Sequence, residues 1–395
     1  MDRITINGKF LTLSAARSGV YRVAHELLMA IDALLAADDP RYRHLRCEVV
    51  MPGRPAQPLA LRAVAQRCIG GPSTRLKGIP WEQFALPLHA RGSVLLNLCN
   101  LGPVLYPRAL TMIHDAQVYL SPGSYSRPFL AWYRTMLPLL GRRNRAILTV
   151  SGYSREQLDR HGVAAATRIH VVHNGCDHVL RTPADATAPA RHGLRHGRYV
   201  MALATVQAHK NIRVLLRAFA DPALADMTLV LFGAGSAADF HGAGVDVPAN
   251  VRFVGRIDDA ALAGLLQGAT ALAFPSLTEG FGLPPLEAMR LGCPAIVAPC
   301  GALPEVCGAA ALQAAADDPQ AWTAQILRLR REPALAADLR QRGLEHAARF
   351  TWAGAAARLL DTVIAQALPA RCADAAAAGA LHAAVPRSPP TPGTP

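Results

Sequence analysis

The feature that most constrains this chain is an alternation of strand-like and helix-like segments that runs along it twice. Short apolar runs at 4–11, 47–51, 94–98, 109–113 and 146–150 read as strands, with helical patterns between several of them. The helix expected at 19–36 carries Val20, Ala24, Leu27, Ile31 and Leu34 along one face. A second series places strands at 199–204, 228–232, 251–254, 271–274 and 295–298, and helices at 211–219, 260–266 and 285–291. Alternating β and α elements imply crossovers between parallel strands, and hence doubly wound α/β sheets. A chain of 395 residues is also too long for one ordinary core. The expected organisation is therefore two Rossmann-like domains, 1–180 and 198–350, facing a central cleft. A linker at 181–197, rich in Pro, Ala, Thr and Arg without apolar periodicity, joins them. An amphipathic helix is expected at 351–368. The Ala/Pro-rich tail 369–395, ending in PRSPPTPGTP, is expected to be disordered.

Composition narrows the class. With 51% hydrophobic and 17% charged residues the chain is globular. The first ten residues, MDRITINGKF, contain no continuous apolar run, so no secretory leader is expected. Residues 260–278 are uncharged, but Gly264, Gly268 and Pro275 argue for a short helix followed by a buried strand rather than a membrane span. The eight cysteines are scattered without a C-x-x-C pair. Cys293, Cys300 and Cys307 lack partners at zinc spacing and read as core thiols. The net charge of +13 is uneven: residues 1–180 hold 22 Lys+Arg against 11 Asp+Glu, and residues 181–395 hold 19 against 17. No Arg/aromatic stripe supports nucleic acid as the partner of the basic half. An anionic membrane surface or a lipid-diphosphate acceptor accounts for it better.

The most informative segment chemically is 275–289, PSLTEGFGLPPLEAM. Glu279 and Glu287 stand eight positions apart, with the Gly-rich loop Gly280, Phe281, Gly282 and Leu283 between them and Pro284 and Pro285 opening a helix. Proline is favoured where a helix begins, because its missing N–H costs nothing there. Loop amides beside the positive end of a helix dipole form an anion site suited to phosphate. The flanking carboxylates can take the hydroxyls of the same ligand, so a sugar diphosphate fits. Lys210, in AHKNIRVLLRAF, is expected to begin a helix, where a cation opposes the dipole unless an anion sits there. Gly19 opens the first helix and lets backbone approach a ligand closely.

These blocks resemble the signature of the glycosyltransferase family 4 enzymes of the GT-B fold. TVSGYS at 149–154, VVHNGCD at 171–177, HKN at 209–211, VRFVGRID at 251–258 and PAIVAPCGALPEVCG at 294–308 follow in family order. The resemblance covers roughly residues 1–365. It implies that Lys210 neutralises the leaving diphosphate, that Glu287 holds ribose hydroxyls and Glu279 donor-sugar hydroxyls, and that Gly19 lies beside the diphosphate. It places His114 near the transferred sugar, Asp115 and Arg22 on the acceptor side, and Ile257 and Asp258 near the base. Relatives often carry an Arg shortly before the Lys; here the stretch reads Thr205-Val206-Gln207-Ala208-His209, with Thr205 as a hydrogen-bond donor. Asn174, Gly175 and Asp177 read as hinge residues. The C-terminal helix often crosses back to the first domain in this family.

Two rival signals are weak. Phe232-Gly233-Ala234-Gly235 mimics a dinucleotide fingerprint, but it lies in mid-chain, and neither Asp258 nor Asp259 is clearly at a strand end, so a nicotinamide cofactor is not expected. No D-x-D pair occurs, and no essential metal or other cofactor is expected. The reading is a retaining hexosyltransferase. A nucleotide sugar, GDP-mannose first, would donate to a lipid-linked oligosaccharide of exopolysaccharide or O-antigen assembly. UDP-hexose or dTDP-rhamnose donors are the alternative, and a sugar-nucleotide epimerase on the same fold is the more distant one. The enzyme is expected in the cytoplasm, peripheral at the inner membrane face.

Overall fold

The computed structural model describes residues 2–12, 19–69, 76 and 78–368. Residues 13–18, just before the helix expected at 19–36, lie outside the described residues, as does the tail 369–395. The first sheet has seven strands: β1 (Asp2–Asn7), β2 (Leu45–Met51), β3 (Ala65–Cys68), β4 (Val94–Asn97), β5 (Ala109–Met112), β6 (Ala146–Thr149) and β7 (Ile169–Val171), in the order 3-2-1-4-5-6-7. The second has six: β8 (Tyr199–Leu203), β9 (Thr228–Phe232), β10 (Val251–Gly255), β11 (Ala271–Phe274), β12 (Ala295–Val297) and β13 (Leu312–Gln313), in the order 10-9-8-11-12-13. Both sheets are parallel, as the alternating pattern requires. The interior strands β4, β5, β6 and β11 are buried at every residue, because helices cover both faces.

The expected first strand stops short. It ends at Asn7, and Lys9–Thr12 form a 3-10 turn. Gly8 sits at the bend because a Cβ there would lie 2.6 Å from Met51 Cγ and 2.9 Å from the Val50 carbonyl oxygen. Strands β3, β7 and β13 carry no signal in the sequence. β3 is largely exposed, and the other two are three and two residues long. The uncharged run 260–278 resolves into the helix Asp259–Gly268 and the buried strand β11. No helix among the described residues is long and apolar enough to cross a membrane.

In each sheet the chain winds outward and then returns past its first strand, so the order reverses between β1 and β4 and between β8 and β11. Such reversals leave a crevice at the carboxyl ends of the strands, where ligands bind in open α/β sheets. The stretch 181–197 is no bare tether. It contains the short helix Ala188–Arg191, and Ala188 and Leu194 are buried with the apolar side chains of the second sheet. The helix α1 (Gly19–Ala36) lies against the C-terminal helix Trp352–Ala367, which shares the core of the first sheet through Leu359, Leu360 and Val363. Tyr42 Oη donates to Asp361 Oδ1 at 2.9 Å across the same junction. Leu360 is fully buried there, so Leu360→Ala should lower stability by roughly 2–5 kcal/mol in urea denaturation. A loss below about 1 kcal/mol would mean that the helix does not anchor the first domain.

Candidate active site

The two strands flanking the reversal in the second sheet, β8 and β11, lead to the two central charges. Lys210 follows β8, and Glu279 follows β11. Lys210 Nζ donates to Glu279 Oε1 at 2.6 Å, with both side chains largely sheltered. Lys210 does not begin a helix, as the sequence suggests; it closes the 3-10 turn Ala208–Lys210. Asn211 takes a left-handed backbone (φ 55°) before the helix Ile212–Phe219. Its Nδ2 donates to the carbonyls of Pro275 and Ala316, which ties the turn to the loop after β11. The ammonium is thus aimed by a turn rather than by a helix end.

The Gly-rich loop comes next. Gly282 has φ 101°, where a side chain would be strained, and a Cβ would also lie 2.6 Å from Leu303 Cδ2. It caps the helix Leu283–Arg290, whose second and third positions are Pro284 and Pro285. Those prolines remove two first-turn donors, so the anion-binding capacity moves to the loop. Among the described residues, no hydrogen bond engages the N–H of Gly280, Phe281, Gly282 or Leu283. Opposite them α1 begins at Gly19, where a Cβ would meet no atom within 4 Å. Neither helix carries an acid in its first turn, so the positive ends of two helix dipoles border one cleft.

This cleft, about 740 Å³, is lined by Gly19, Arg22, His114, Asp115, Lys210, Ile257, Glu279, Gly280, Phe281, Gly282, Leu283 and Glu287. The structure therefore gathers twelve of the fourteen site residues expected from the sequence. Thr205 is not among them. It lines a separate depression of about 180 Å³, and its Oγ1 accepts from Gln207 N at 3.3 Å in a local turn. Asp258 is also outside: its carboxylate accepts from Ala261 N at 2.8 Å and caps the helix Asp259–Gly268. Arg22 faces the second domain rather than open solvent, and its guanidinium donates to Asp259 Oδ1 at 3.0 Å.

His178 is the site residue that the sequence did not single out. Trp352 Nε1 donates to its Nδ1 at 3.0 Å, which leaves the proton of a neutral ring on Nε2. Nε2 then donates to Glu287 Oε1 at 3.0 Å. The C-terminal helix thereby orients the Glu287 carboxylate through one imidazole. Arg256 and the Phe232, Gly233 and Ala234 turn also line the cleft, and so does Asn174, which reads from sequence as a hinge. The turn is a wall of the cleft, although it falls short of a dinucleotide fingerprint.

His114 is buried at the end of β5, and Nε2 donates to the Leu98 carbonyl at 2.8 Å, leaving Nδ1 as the ring's acceptor. Burial pushes its pKa down to about 4, against the help of that hydrogen bond. Asp115 is pushed above the ordinary carboxylate range, first by burial and further by Glu279; the Gln117 N–H and Lys210 oppose the shift. Asp115 also lines an adjoining cavity of about 550 Å³ within the first domain. Its walls carry the stacked rings of Tyr125, Phe129 and Tyr133, whose centroids lie 5.2 and 4.2 Å apart in turn. Lys9 and Glu82 face the same space as a sheltered ion pair at 2.8 Å.

Because His114 is held neutral, the unfolded chain binds more protons than the folded one between about pH 4 and 6.5. The wild type should lose roughly 3 kcal/mol relative to His114→Asn as pH falls through that window. Urea denaturation of both proteins across the range checks this. Parallel pH profiles would contradict it.

The sequence matches two family descriptions that divide it as the two sheets do. "Glycosyltransferase Family 4" matches residues 20–180 and "Glycosyl transferases group 1" matches residues 197–332. An O-antigen chain mannosyltransferase B from Escherichia coli is 30% identical over 270 residues, 64% of this chain and 70% of that protein. A D-inositol 3-phosphate glycosyltransferase from Salinispora arenicola is 31% identical over 252 residues, and there the chain spans only 55% of the relative. Among solved structures, sucrose-phosphate synthase from Thermosynechococcus elongatus superposes with a TM-score of 0.69 at 19% identity, covering 92% of this chain and 98% of that one. HepE from Anabaena, solved with UDP and glucose, gives 0.66 at 17% identity, covering 92% of this chain and all of that one. With the two facing parallel sheets of the GT-B fold and these relatives, the chain belongs to glycosyltransferase family 4, the group 1 glycosyl transferases, and is an enzyme of that family.

Proposed function

We propose that the cleft transfers a hexose from a nucleoside diphosphate sugar, with retention at the anomeric carbon, and that the donor is GDP-mannose. The observation that carries this reading is the run of four unpartnered N–H groups at Gly280–283 beside the Lys210–Glu279 pair. The diphosphate would rest on these amides, between the dipole ends of α1 and the helix Leu283–Arg290. Glu287, oriented by His178, would hold the ribose hydroxyls. Glu279 would take hydroxyls of the donor sugar, with His114 Nδ1 accepting from the same sugar. The Phe232–Ala234 turn, Arg256 and Ile257 would border the base.

The reaction breaks the bond between the anomeric carbon and the diphosphate oxygen. The acceptor oxygen bonds to that carbon on the same face, and its proton passes to the departing phosphate. Negative charge grows on the diphosphate, where Lys210 and the loop amides stand ready before the bond breaks. No carboxylate is required as a nucleophile. The acceptor, read as a lipid-diphosphate-linked glycan, would enter through the 550 Å³ cavity, where Tyr125, Phe129 and Tyr133 offer faces for sugar rings. Mannose is favoured by the similarity to O-antigen mannosyltransferases. A UDP-hexose donor is the second reading, favoured by the fold neighbour solved with UDP-glucose.

Thermal melting with GDP, UDP, dTDP and NADH, each without metal, tests this. A ligand at about 100 times its dissociation constant should stabilise the protein by roughly 2.7 kcal/mol. GDP should shift the transition, and the shift should vanish in Glu287→Ala. A shift with UDP or dTDP instead would replace the donor. No shift with any diphosphate, or a shift with NADH alone, would overturn the reading.

A further inference from the structure

One wall of the cavity in the first domain is polar and buried. Trp81–Ala85 form a wide, π-helical turn, a geometry frequent at functional sites. The turn buries Trp81 completely and holds Glu82, 4% exposed, against the end of β1. Glu82 Oε1 accepts from Asn7 Nδ2 at 2.8 Å, and its Oε2 accepts from Lys9 Nζ at 2.8 Å. Asn100, with a left-handed backbone (φ 56°), lines the same cavity. Its Oδ1 accepts from His114 N at 2.8 Å, and its Nδ2 has no partner among the described residues. Desolvating a carboxylate and an ammonium is costly, and apolar side chains of the same volume often serve stability as well or better. Placed on a cavity wall, these groups keep capacity for a ligand. A carboxylate offers roughly four acceptor positions and an ammonium about three donors.

The charge in this cavity disfavours anions. Among the described residues that line it, the charged ones are Lys9, Glu82 and Asp115. Lys9 is already answered by Glu82, which leaves no free cation. The two carboxylates also reach the aromatic wall. Burial first, then Glu82 and Asp115, push the Tyr133 hydroxyl up to about 12. Tyr125 is raised to about 12 by burial and then by Asp115. A phosphate or carboxylate entering here would lose its hydration and meet like charge, with no arginine to bind it. A neutral pyranose meets the opposite conditions. Tyr125, Phe129 and Tyr133 can cover its apolar faces. Its hydroxyls can donate to Glu82 and accept from Lys9 and Asn100.

We infer that the cavity selects a neutral hexopyranosyl end of the acceptor, and that Lys9, Glu82 and Asn100 are the residues that select it. This rests on the acceptor reading proposed above, which it narrows to a substrate class. Val20 and Asp115 line both the cavity and the cleft, so a ring seated against the aromatic wall lies next to the donor. Any anionic part of the acceptor stays outside the cavity. Glu82 sets the sign of the selection. Its charge cancels that of Lys9, so an acidic acceptor gains nothing from the ammonium. With that charge removed, Lys9 would stand unanswered and attract an anion.

Saturation-transfer NMR titrations of the full chain with methyl α-mannopyranoside and with mannose 6-phosphate test the selection, with GDP present to occupy the cleft. The wild type should bind the mannoside at least about tenfold more tightly than the phosphate. Phe129 is 37% exposed, so Phe129→Ala should keep the melting temperature. It should weaken the mannoside at least about threefold, which places the binding at the aromatic wall. Glu82→Gln should weaken the mannoside and strengthen mannose 6-phosphate, whereas loss of fold alone would lower both. If Glu82→Gln does not fold, the wild-type preference and Phe129→Ala still decide. Equal or tighter binding of the phosphate by the wild type would overturn the proposal. So would a mannoside affinity that Phe129→Ala leaves unchanged, or a folded Glu82→Gln with the wild-type preference. If GDP stabilises the protein and neither sugar binds, the cavity proposal fails and the transferase reading stands. If the mannoside behaves as expected and no diphosphate stabilises the protein, the cavity proposal stands and the transferase reading fails.

Discussion

The two halves of the site are held in register by the seat of one glycine. Gly280 brings its backbone so close to the end of β5 that a Cβ would lie 2.3 Å from the His114 carbonyl oxygen and 2.9 Å from Asp115 Cβ. Its own carbonyl accepts from Ser151 Oγ at 2.6 Å and from Ser154 Oγ at 3.1 Å. Ser151 caps the helix Gly152–Arg160, and the Glu305 carboxylate accepts from Gly152 N and Tyr153 N at the same helix end. Gln117 Nε2 adds a donor to the Thr278 carbonyl at 2.9 Å. Apart from the cap itself, these bonds run between the first and second domains. The loop that leaves its N–H groups open to the cleft is thus fastened by its other atoms to the opposite domain. Only a residue without a side chain permits that approach.

The electrostatics follow from this placement. Fastening the loop at Gly280 fixes Glu279 on one side and the start of the helix Leu283–Arg290 on the other. Glu279 holds Lys210, and the open amides face the start of α1. Prolines at the second and third helical positions would weaken an anion site built on the helix end alone. Here they shift the donors into the loop, next to the ammonium. Glu287 is steadied separately, through His178 and Trp352, so the C-terminal helix that packs on the first domain also orients a carboxylate of the second.

Much of this was legible in the sequence because it is local. Lys210, Glu279 and Glu287 each sit in a segment whose neighbours announce a turn or a helix start, and the strands leading to them are continuous apolar runs. What was not legible depends on distant partners. His178 acquires its meaning from Glu287 and Trp352, 109 and 174 positions away. The bond from Arg22 to Asp259 spans 237 positions. Asp258 stands three residues after β10, in the block expected near the base, yet the helix that follows claims its carboxylate as a cap. Thr205 likewise spends its hydroxyl on its own turn. Lys210 read as a helix start because the helix begins only two residues later, at Ile212, and the left-handed Asn211 between them left no pattern to read.

The central claim is that the Gly280–283 amides are the diphosphate seat. Hydrogen–deuterium exchange of the full chain with and without a saturating nucleoside diphosphate tests it most directly. The account predicts protection concentrated at 279–287 and at the start of α1, with the 181–197 stretch unchanged. Protection confined to the Phe232–Ala234 turn, with the 279–287 amides exchanging as before, would contradict it.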